Sequence, residues 1–272
     1  MSATPQLPPV AKLEQKIVVD LVSRGKRIDE RGPESYRPIQ IQAGLIEKAN
    51  GSCHVSLGKT KVLVGVKVQV GEPFPDTPDE GVLTVNAELV PLASPFFEPG
   101  PPGEQAIELA RVVDRGIRES KVLDVKSLCI QKGRKVQVVY VDVYVLDHDG
   151  NLIDAAAMAA LGALVNAKVG KFEMKGEDVV TKPGQHPLPI GNYPVAVTFA
   201  KVDKTLLVDP SLEEEQVMSA RLTVTIEKNG SICAMQKGGL SGFTVDELKR
   251  AVGIAVQKAA ENRAKVLAVA KN

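Results

Sequence analysis

The sequence predicts an α+β fold, because each half of the chain places a set of strands before a helix. In the first half, Ile39 and Ile41 alternate with Gln40 and Gln42, which is the period-two pattern of a half-buried strand. In the second half, four short apolar runs precede a long closing helix at 245–270. Strands grouped ahead of helices predict mixed sheets packed on helices, in two related subdomains.

Turn signals separate the individual elements. Asn50-Gly51 predicts a hairpin turn and Asp149-Gly150 a tight turn, after which Asp154 is a candidate N-cap. Residues 95–103 (PFFEPGPPG) are too rich in proline and glycine for the interior of a strand or helix. Helices are predicted at 13–23, 104–121, 155–167 and 245–270. Strands are predicted at 39–42, 53–57, 62–70, 81–92, 136–146, 193–200, 205–208, 221–226 and 231–236, with Gly238-Gly239 breaking the last sheet.

Composition shifts set the expected domain boundaries. Residues 1–26 are predicted to be a tail and a short helix, and 27–174 a first subdomain. Residues 175–192 contain three prolines and three glycines, which predicts an irregular link. Residues 193–272 form the predicted second subdomain.

The charge balance limits the ways in which the chain could bind nucleic acid. Among 272 residues, 34 Lys and Arg face 33 Asp and Glu, so the formal net charge is only +1. Any nucleic-acid contact must therefore come from a local basic cluster. With no Trp, six Phe and four Tyr, a base-stacking platform is not expected to dominate.

A cytoplasmic location without membrane partners is expected. The first ten residues are proline-rich and lack the apolar core of a signal peptide. No apolar run approaches the roughly 20 residues that span a bilayer. Cys53, Cys129 and Cys233 stand far apart in strand-like runs, so buried free thiols in a reducing compartment are expected.

No metal site, cofactor or nucleophile–base pair is predicted. His54, His148 and His186 lie in a strand, a turn and a proline-flanked segment, where structural roles are expected. Residues 147–151 (DHDGN) resemble the opening of a calcium loop, but the position of its obligatory twelfth ligand is Met158. GxSxG, Walker A and GxGxxG motifs are absent.

The helix predicted at 104–121 contains the most informative cluster. Arg111, Arg115 and Arg118 stand at i, i+4 and i+7 and share one helical face, a spacing suited to binding phosphate groups. A separate apolar stripe is predicted at Ile107, Ala110, Val113 and Ile117. The alternative is a solvated face, in which the arginines pair with Glu108, Asp114 and Glu119.

Several segments resemble the RNase PH superfamily, from about residue 27 to the end. RIDER (27–31), with Glu30 where a glycine is usual, and YRP (36–38) resemble its N-terminal signature. Further resemblance lies in NGS (50–52), LGKTKV (57–62), ELARVVDRGIR (108–118) and DVYVLD (142–147). FEPGPP (97–102) and LLVDP (206–210) resemble the non-catalytic subunit of the archaeal exosome ring.

The resemblance implies an RNase PH-like fold, of the ribosomal protein S5 domain 2-like type, and cleavage of RNA from its 3′ end by phosphate. That chemistry needs cationic donors for phosphate and an acid for the leaving oxygen. The family's phosphate-loop arginine corresponds to Leu152, which has no donor, and its catalytic aspartate to Arg221, which cannot give up a proton. Its paired arginines correspond to Glu104 and Gln105. These four degenerate positions predict that the chain has no catalytic residues of its own.

The resemblance also implies the partners. A catalytic RNase PH-like subunit is expected to alternate with this chain in a six-membered ring, a trimer of heterodimers, with RNA-binding cap subunits and single-stranded RNA. In that setting RNA contact is favoured for Arg111, Arg115 and Arg118. An active exoribonuclease is the alternative, and Leu152 and Arg221 count against it. A small-molecule kinase would need a Gly/Ser-rich ATP loop, which is absent.

Overall fold

The first half of the chain forms a six-stranded mixed sheet in a computed structural model that describes residues 12–175 and 178–270. The strands are β1 (Ile39–Ala43), β2 (Gly51–Leu57), β3 (Thr60–Gly71), β4 (Val82–Leu89), β5 (Cys129–Gln131) and β6 (Lys135–Asp147). Their order is β1-β2-β3-β6-β4, with β5 paired to β6. Only β4 and β6 are parallel. In β3, Val62, Val64 and Val66 are fully buried while Lys61 and Lys67 are exposed, as the alternation predicts.

The second half forms a four-stranded antiparallel sheet, preceded by a separate hairpin. Its elements are β7 (Lys168–Lys175), β8 (Asp178–Pro187), β9 (Val195–Val202), β10 (Thr205–Val208), β11 (Ala220–Ile226) and β12 (Ile232–Gly239). The sheet has the order β10-β9-β11-β12, and β7 pairs with β8. The two sheets therefore come from the two halves of the sequence.

Five α-helices join and cover these sheets in the described residues. They are α1 (Lys12–Ser23), α2 (Glu104–Glu119), α3 (Leu152–Asn166), α4 (Leu212–Val217) and α5 (Val245–Ala270). Helix α3 contacts β2 and β3 of the first sheet and β9 of the second, so it must be apolar on every side. A Cβ on its Gly162 would lie 2.5 Å from Cys53 Sγ. This arrangement confirms the predicted α+β class, with mixed sheets packed on helices.

The start of α3 differs from the prediction. Asn151, not Asp154, is the N-cap, and its side chain accepts a hydrogen bond from the Asp154 N–H. The prediction was wrong because Asp154 turns inward: it is fully buried and accepts hydrogen bonds from Tyr36 Oη (2.6 Å) and Thr198 Oγ1 (2.7 Å). Burial raises the pKa of Asp154 to about 6, against the effect of these hydrogen bonds. The helix consequently begins at Leu152.

The prediction of an irregular link at 175–192 is also wrong, because most of it is strand β8, which pairs with β7. The predicted break at Gly238-Gly239 is correct at Gly239, which ends β12 with a φ of 81°. Gly238 still lies within the strand, where a Cβ would be 3.2 Å from Arg221 Nη2, so this glycine makes room for a side chain. The short helix α4 was not predicted, and the boundaries of the two subdomains stay a prediction.

A buried ionic network ties the N-terminal segment to the second half of the chain. Arg27 Nε donates to Glu214 Oε1 at 2.8 Å, and Arg37 Nη2 donates to Asp209 Oδ1 at 2.8 Å. Further donors of Arg27 reach the carbonyls of Val208 and Asp209. Buried charges are tolerated only when paired and hydrogen-bonded, as they are here. The network fixes the segment Asp209–Glu215 that precedes β11.

Across residues 12–175 and 178–270, every helix is too short or too polar to traverse a lipid bilayer. The three cysteine thiols differ in burial, although all three were expected to be buried. Cys53 is fully buried, and burial raises its pKa to about 12. Cys129 and Cys233 are only half-buried, because each lies on a strand near the edge of its sheet. The prediction of three buried thiols is therefore correct only for Cys53.

Candidate functional site

Helix α2 exposes its three arginines on one side and buries an apolar face on the other. Arg111, Arg115 and Arg118 are all exposed. The buried residues are Ala106, Leu109, Val112, Val113, Gly116 and Ile117. The predicted stripe is wrong at Ile107, which is 49% exposed, and at Ala110, which is half-buried. Burial follows the i, i+3, i+4, i+7 spacing that begins at Leu109 instead.

Arg118 is already engaged within the chain. Its guanidinium donates to both carboxylate oxygens of Asp114, at 2.7 and 3.1 Å, and to the carbonyl oxygen of Leu83 in β4, at 3.1 Å. The hydrogen bond to Asp114 raises the pKa of Arg118. Its side chain is still 51% exposed. Arg118 therefore anchors α2 to the first sheet while leaving part of its guanidinium open to solvent.

The side chains of Arg111 and Arg115 make fewer contacts with acidic residues of the chain than Arg118 does. Arg115 Nη1 donates to Gln236 Oε1 of β12 at 3.2 Å, a neutral partner that leaves its charge uncompensated. In the described ranges, the side chain of Arg111 makes neither a hydrogen bond nor an ion pair. The solvated-face alternative thus holds for one arginine of the three. Arg111 and Arg115 present two uncompensated positive charges one helical turn apart.

Glu108 does not neutralise the arginines of its own helix. Its carboxylate accepts a hydrogen bond from Arg221 Nη2 of β11, in an ion pair whose side chains are 41% and 16% exposed respectively. Glu119 is exposed and pairs with no arginine in the part of the chain that the structure covers. Of the three predicted acidic partners, only Asp114 therefore pairs with an arginine of α2.

Arg221 is held in a structural position by this ion pair. It points from β11 towards α2, and its Nε is buried without a hydrogen-bond partner among the described residues. A general acid must release a proton to the departing oxygen, which a guanidinium cannot do. Arg221 therefore contributes charge and packing here and cannot contribute acid catalysis.

The loop before α3 is a tight turn that lacks a cationic side chain. Gly150 has a φ of 87° and Asn151 a φ of 52°, so both lie in the left-handed region. The N-terminus of a helix can bind an anion through its backbone N–H groups, but Asn151 is buried here. Leu152 is half-buried and packs against the hydrophobic core. The side chain at this position therefore cannot hold phosphate.

Glu104 and Gln105 are both exposed in the first turn of α2. Gly103 is the N-cap and provides no side-chain hydrogen bond. The carboxylate of Glu104 interacts favourably with the helix dipole at this N-terminal end, but it repels phosphate. Neither residue can neutralise the RNA backbone.

Glu215 is a site residue that the sequence reasoning missed. Its Oε1 accepts a hydrogen bond from the Asn151 N–H at 2.9 Å. Burial raises the pKa of Glu215 to about 7, against the lowering effects of the Asn151 hydrogen bond and of the positive Arg221 and Arg37. The available signal was the run of three acids at 213–215 after Ser211, because Ser211 and Glu214 have the spacing of a capping box, which marks the start of a helix.

His148 has a structural role, as expected. Its ring stacks on Phe97 with centroids 5.4 Å apart, which holds the proline-rich loop near the start of α2. Burial lowers the pKa of His148 to about 4, so it is neutral at physiological pH. Asp147 of the apparent calcium loop pairs instead with Lys61, at 2.9 Å. The described residues contain no cluster of potential metal ligands.

Comparisons with known proteins identify the family. The two domains described as 3′ exoribonuclease family, domain 1 and domain 2, match residues 35–170 and 192–258. The chain is 55% identical to "Exosome complex component Rrp42" of Pyrococcus horikoshii, over 96% of both sequences.

Solved structures agree with this result. The Archaeoglobus fulgidus exosome with RNA bound to the active site contains a similar chain, with 46% identity and a TM-score of 0.86 over 93% of this chain and 97% of that one. A chain of an archaeal exosome core is 43% identical, with a TM-score of 0.83 over 93% and 96% respectively. The sheet order, the paired domains and these relatives together show that the chain belongs to the RNase PH family of 3′ exoribonucleases.

Proposed function

We propose that the chain is a non-catalytic component of an archaeal-type exosome. In this role it forms a ring with a catalytic RNase PH-like subunit and supports 3′-to-5′ RNA degradation without performing the chemistry. The single observation that carries the proposal is the engagement of Arg221 by Glu108, at the position where the family has its catalytic acid. The apolar packing of Leu152 supports it.

The proposed partners follow from the relatives. One relative is named an exosome component and others are chains of exosome cores, one of them with RNA bound. A cytoplasmic, alternating ring of three heterodimers, with RNA-binding caps above it, is the assembly we propose for this chain. Its contribution to the ring is structural support of the neighbouring active site and contact with single-stranded RNA.

RNA contact is proposed for Arg111, Arg115 and Arg118, with unequal contributions. Arg111 and Arg115 offer uncompensated charge, whereas Arg118 already donates to Asp114 and Leu83. Positive charges on a rigid helix neutralise phosphates without reading bases. The strongest RNA contact is therefore expected at Arg111 and the weakest at Arg118.

An active phosphorolytic exoribonuclease is the second candidate, and one observation favours it. Glu215 has its pKa raised to about 7, a value suited to general acid catalysis at neutral pH. Against this candidate, the Glu215 carboxyl is hydrogen-bonded to Asn151, and no arginine occupies the clamp positions at 104, 105 and 152.

The test mixes the purified chain with a catalytic homologue and weighs the product by light scattering and native mass spectrometry. An alternating six-subunit particle that degrades RNA, from a chain that alone releases no nucleoside diphosphate, is the expected result. A stable homohexamer, or nucleoside diphosphate release by the chain alone, would contradict the proposal.

A further inference from the structure

Helix α4 is packed directly onto the loop that begins α3. A Cβ added at Gly150 would lie 2.5 Å from Ser211 C, 2.6 Å from Leu212 N and 2.7 Å from Pro210 O. The chain of residues 210–212 therefore covers the glycine that shapes this turn. Nothing larger than a hydrogen atom fits between the two segments at that point.

The same segment places an anion at the helix start. The Glu215 carboxylate, one turn further along α4, accepts the Asn151 N–H at 2.9 Å. Backbone N–H groups and the helix dipole both favour negative charge at such a position. A carboxylate supplied by the chain itself satisfies the donor that would otherwise face a bound anion.

The surrounding charges hold the carboxylate in place. Arg37 donates to the carbonyl oxygens of Asp149 (2.5 Å) and Gly150 (3.2 Å). The positive charge of Arg221 on β11 acts against the burial that raises the pKa of Glu215. Both guanidiniums stabilise the ionised form of Glu215, whereas Asp209 opposes it. The charges that would attract phosphate to this loop therefore act on Glu215.

We infer that Glu215 and the 210–212 backbone form an internal plug that closes the α3 loop to phosphate groups. This inference deepens the proposed function, because it gives a reason for the loop to exclude phosphate beyond the absence of an arginine at Leu152. The 210–212 backbone holds α4 against the loop. The Glu215 carboxylate then occupies the Asn151 N–H and the space beside it.

The experiment follows the Asn151 amide signal by NMR in the full-length chain, with inorganic phosphate as the probe at pH 8. In the unmodified chain, phosphate should leave this amide signal unchanged. Glu215→Ala should give a saturable shift of this signal, because it frees the donor and removes a competing charge from a helix N-terminus. Glu215→Gln, which keeps the shape of the side chain, should give a saturable shift that needs more phosphate.

Glu213→Ala is the matched control, because Glu213 lies on the same helix, carries the same charge and is exposed, with Ser211 as its hydrogen-bond partner. It should leave the Asn151 signal insensitive to phosphate. Saturable phosphate binding by the unmodified chain would overturn the plug, and so would folded Glu215→Ala and Glu215→Gln variants that bind no phosphate. Nucleotide release in the same tube reports on the proposed function separately, since phosphate can bind without any turnover of RNA.

Discussion

Glu108 on α2 and Arg221 on β11 form an ion pair between residues that stand 113 positions apart, so the arginine-bearing helix is fastened to the second sheet. Arg118 fastens the same helix to the first sheet through the carbonyl oxygen of Leu83. A second contact with the second sheet is the hydrogen bond from Arg115 to Gln236 of β12. Helix α2 is thus held to both sheets by polar contacts, and the side chain of Arg111 projects from a rigid support.

Removing either partner of the Glu108–Arg221 pair should destabilise the protein. Glu108→Ala leaves a mostly buried guanidinium without its acceptor, at an expected cost of about 1–3 kcal/mol. A double-mutant cycle with Arg221→Ala, measured by urea unfolding, should give a coupling of about 1 kcal/mol. Asp114→Ala is the control. Asp114 pairs with Arg118 on the same helix, and Arg118 is more exposed than Arg221, so the free energy of unfolding should fall by only about 0.5 kcal/mol. Additive effects of Glu108→Ala and Arg221→Ala would argue against the pair.

The arginines of α2 should contribute unequally to RNA binding in the assembled ring. Arg111→Ala should weaken binding most, Arg115→Ala less, and Arg118→Ala least. Each lost phosphate contact should reduce the dependence of log K on log salt by about 0.7. Fluorescence anisotropy with single-stranded RNAs of different sequence measures this, and the losses should not depend on sequence.

Arg24→Ala is the control for that series, because it removes one exposed positive charge just after α1, far along the chain from α2. Equal losses for Arg24→Ala and Arg111→Ala would show a diffuse charge effect. Disassembly of the ring by Arg111→Ala would instead place that residue in a subunit interface.

Restoring two family residues should not create an enzyme. The combined Leu152→Arg and Arg221→Asp substitutions should still release no nucleoside diphosphate from RNA, phosphate and magnesium. The aspartate would face Glu108 and Glu215 without a compensating charge, and Glu104 and Gln105 would still leave the RNA unclamped. Chromatographic detection of nucleoside diphosphates checks this, with the catalytic homologue as the positive control. Turnover by the double variant would show that the two substitutions alone account for the inactivity.

Glu215 should make folding stability fall as pH rises. Its folded-state pKa of about 7 lies above the ordinary value of 4.5, so the folded chain keeps a proton that the unfolded chain releases between these values. The Glu215 contribution is therefore fully present below about pH 4.5 and is lost as pH rises through about 7. Glu215→Gln should accordingly become more stable relative to the unmodified chain between pH 5 and pH 8.

Urea unfolding at several pH values measures this difference. Asp154, whose pKa is raised to about 6, titrates in both proteins and cancels in the comparison. Glu213→Gln is the control at an exposed position, and its free energy of unfolding should depend on pH as that of the unmodified chain does. A constant difference between Glu215→Gln and the unmodified chain across this range would show that Glu215 ionises in the folded state as it does in the unfolded state.

Local patterns predicted the sheets well, because alternation depends only on neighbouring residues. The buried valines of β3 show this clearly. Strand β8 was missed because its glycine and proline content predicts a loop, whereas a two-stranded hairpin leaves one edge of each strand unpaired and tolerates such residues. Secondary-structure periodicity carries no information about such exceptions.

The sequence predicted those features of the candidate site that depend only on the position of a residue along one helix, which decides whether its side chain is exposed. Arg111 and Arg115 are exposed, as their spacing indicated. The contact between Asn151 and Glu215 spans 64 residues, and the one between Arg118 and Leu83 uses a backbone carbonyl that has no sequence signature. Contacts of these two kinds arise from tertiary packing, so they required the structure.

The ion pair between Arg27 and Glu214 joins positions 187 residues apart. During synthesis, the N-terminal arginine leaves the ribosome long before its acceptor exists, so this contact can form only after nearly four-fifths of the chain has been made. Closing so distant a pair late is entropically costly and slow compared with forming the local hairpins. The N-terminal segment therefore cannot dock before the segment Asp209–Glu215 has been made, whereas the hairpins of the first sheet can form earlier from residues that are close in sequence.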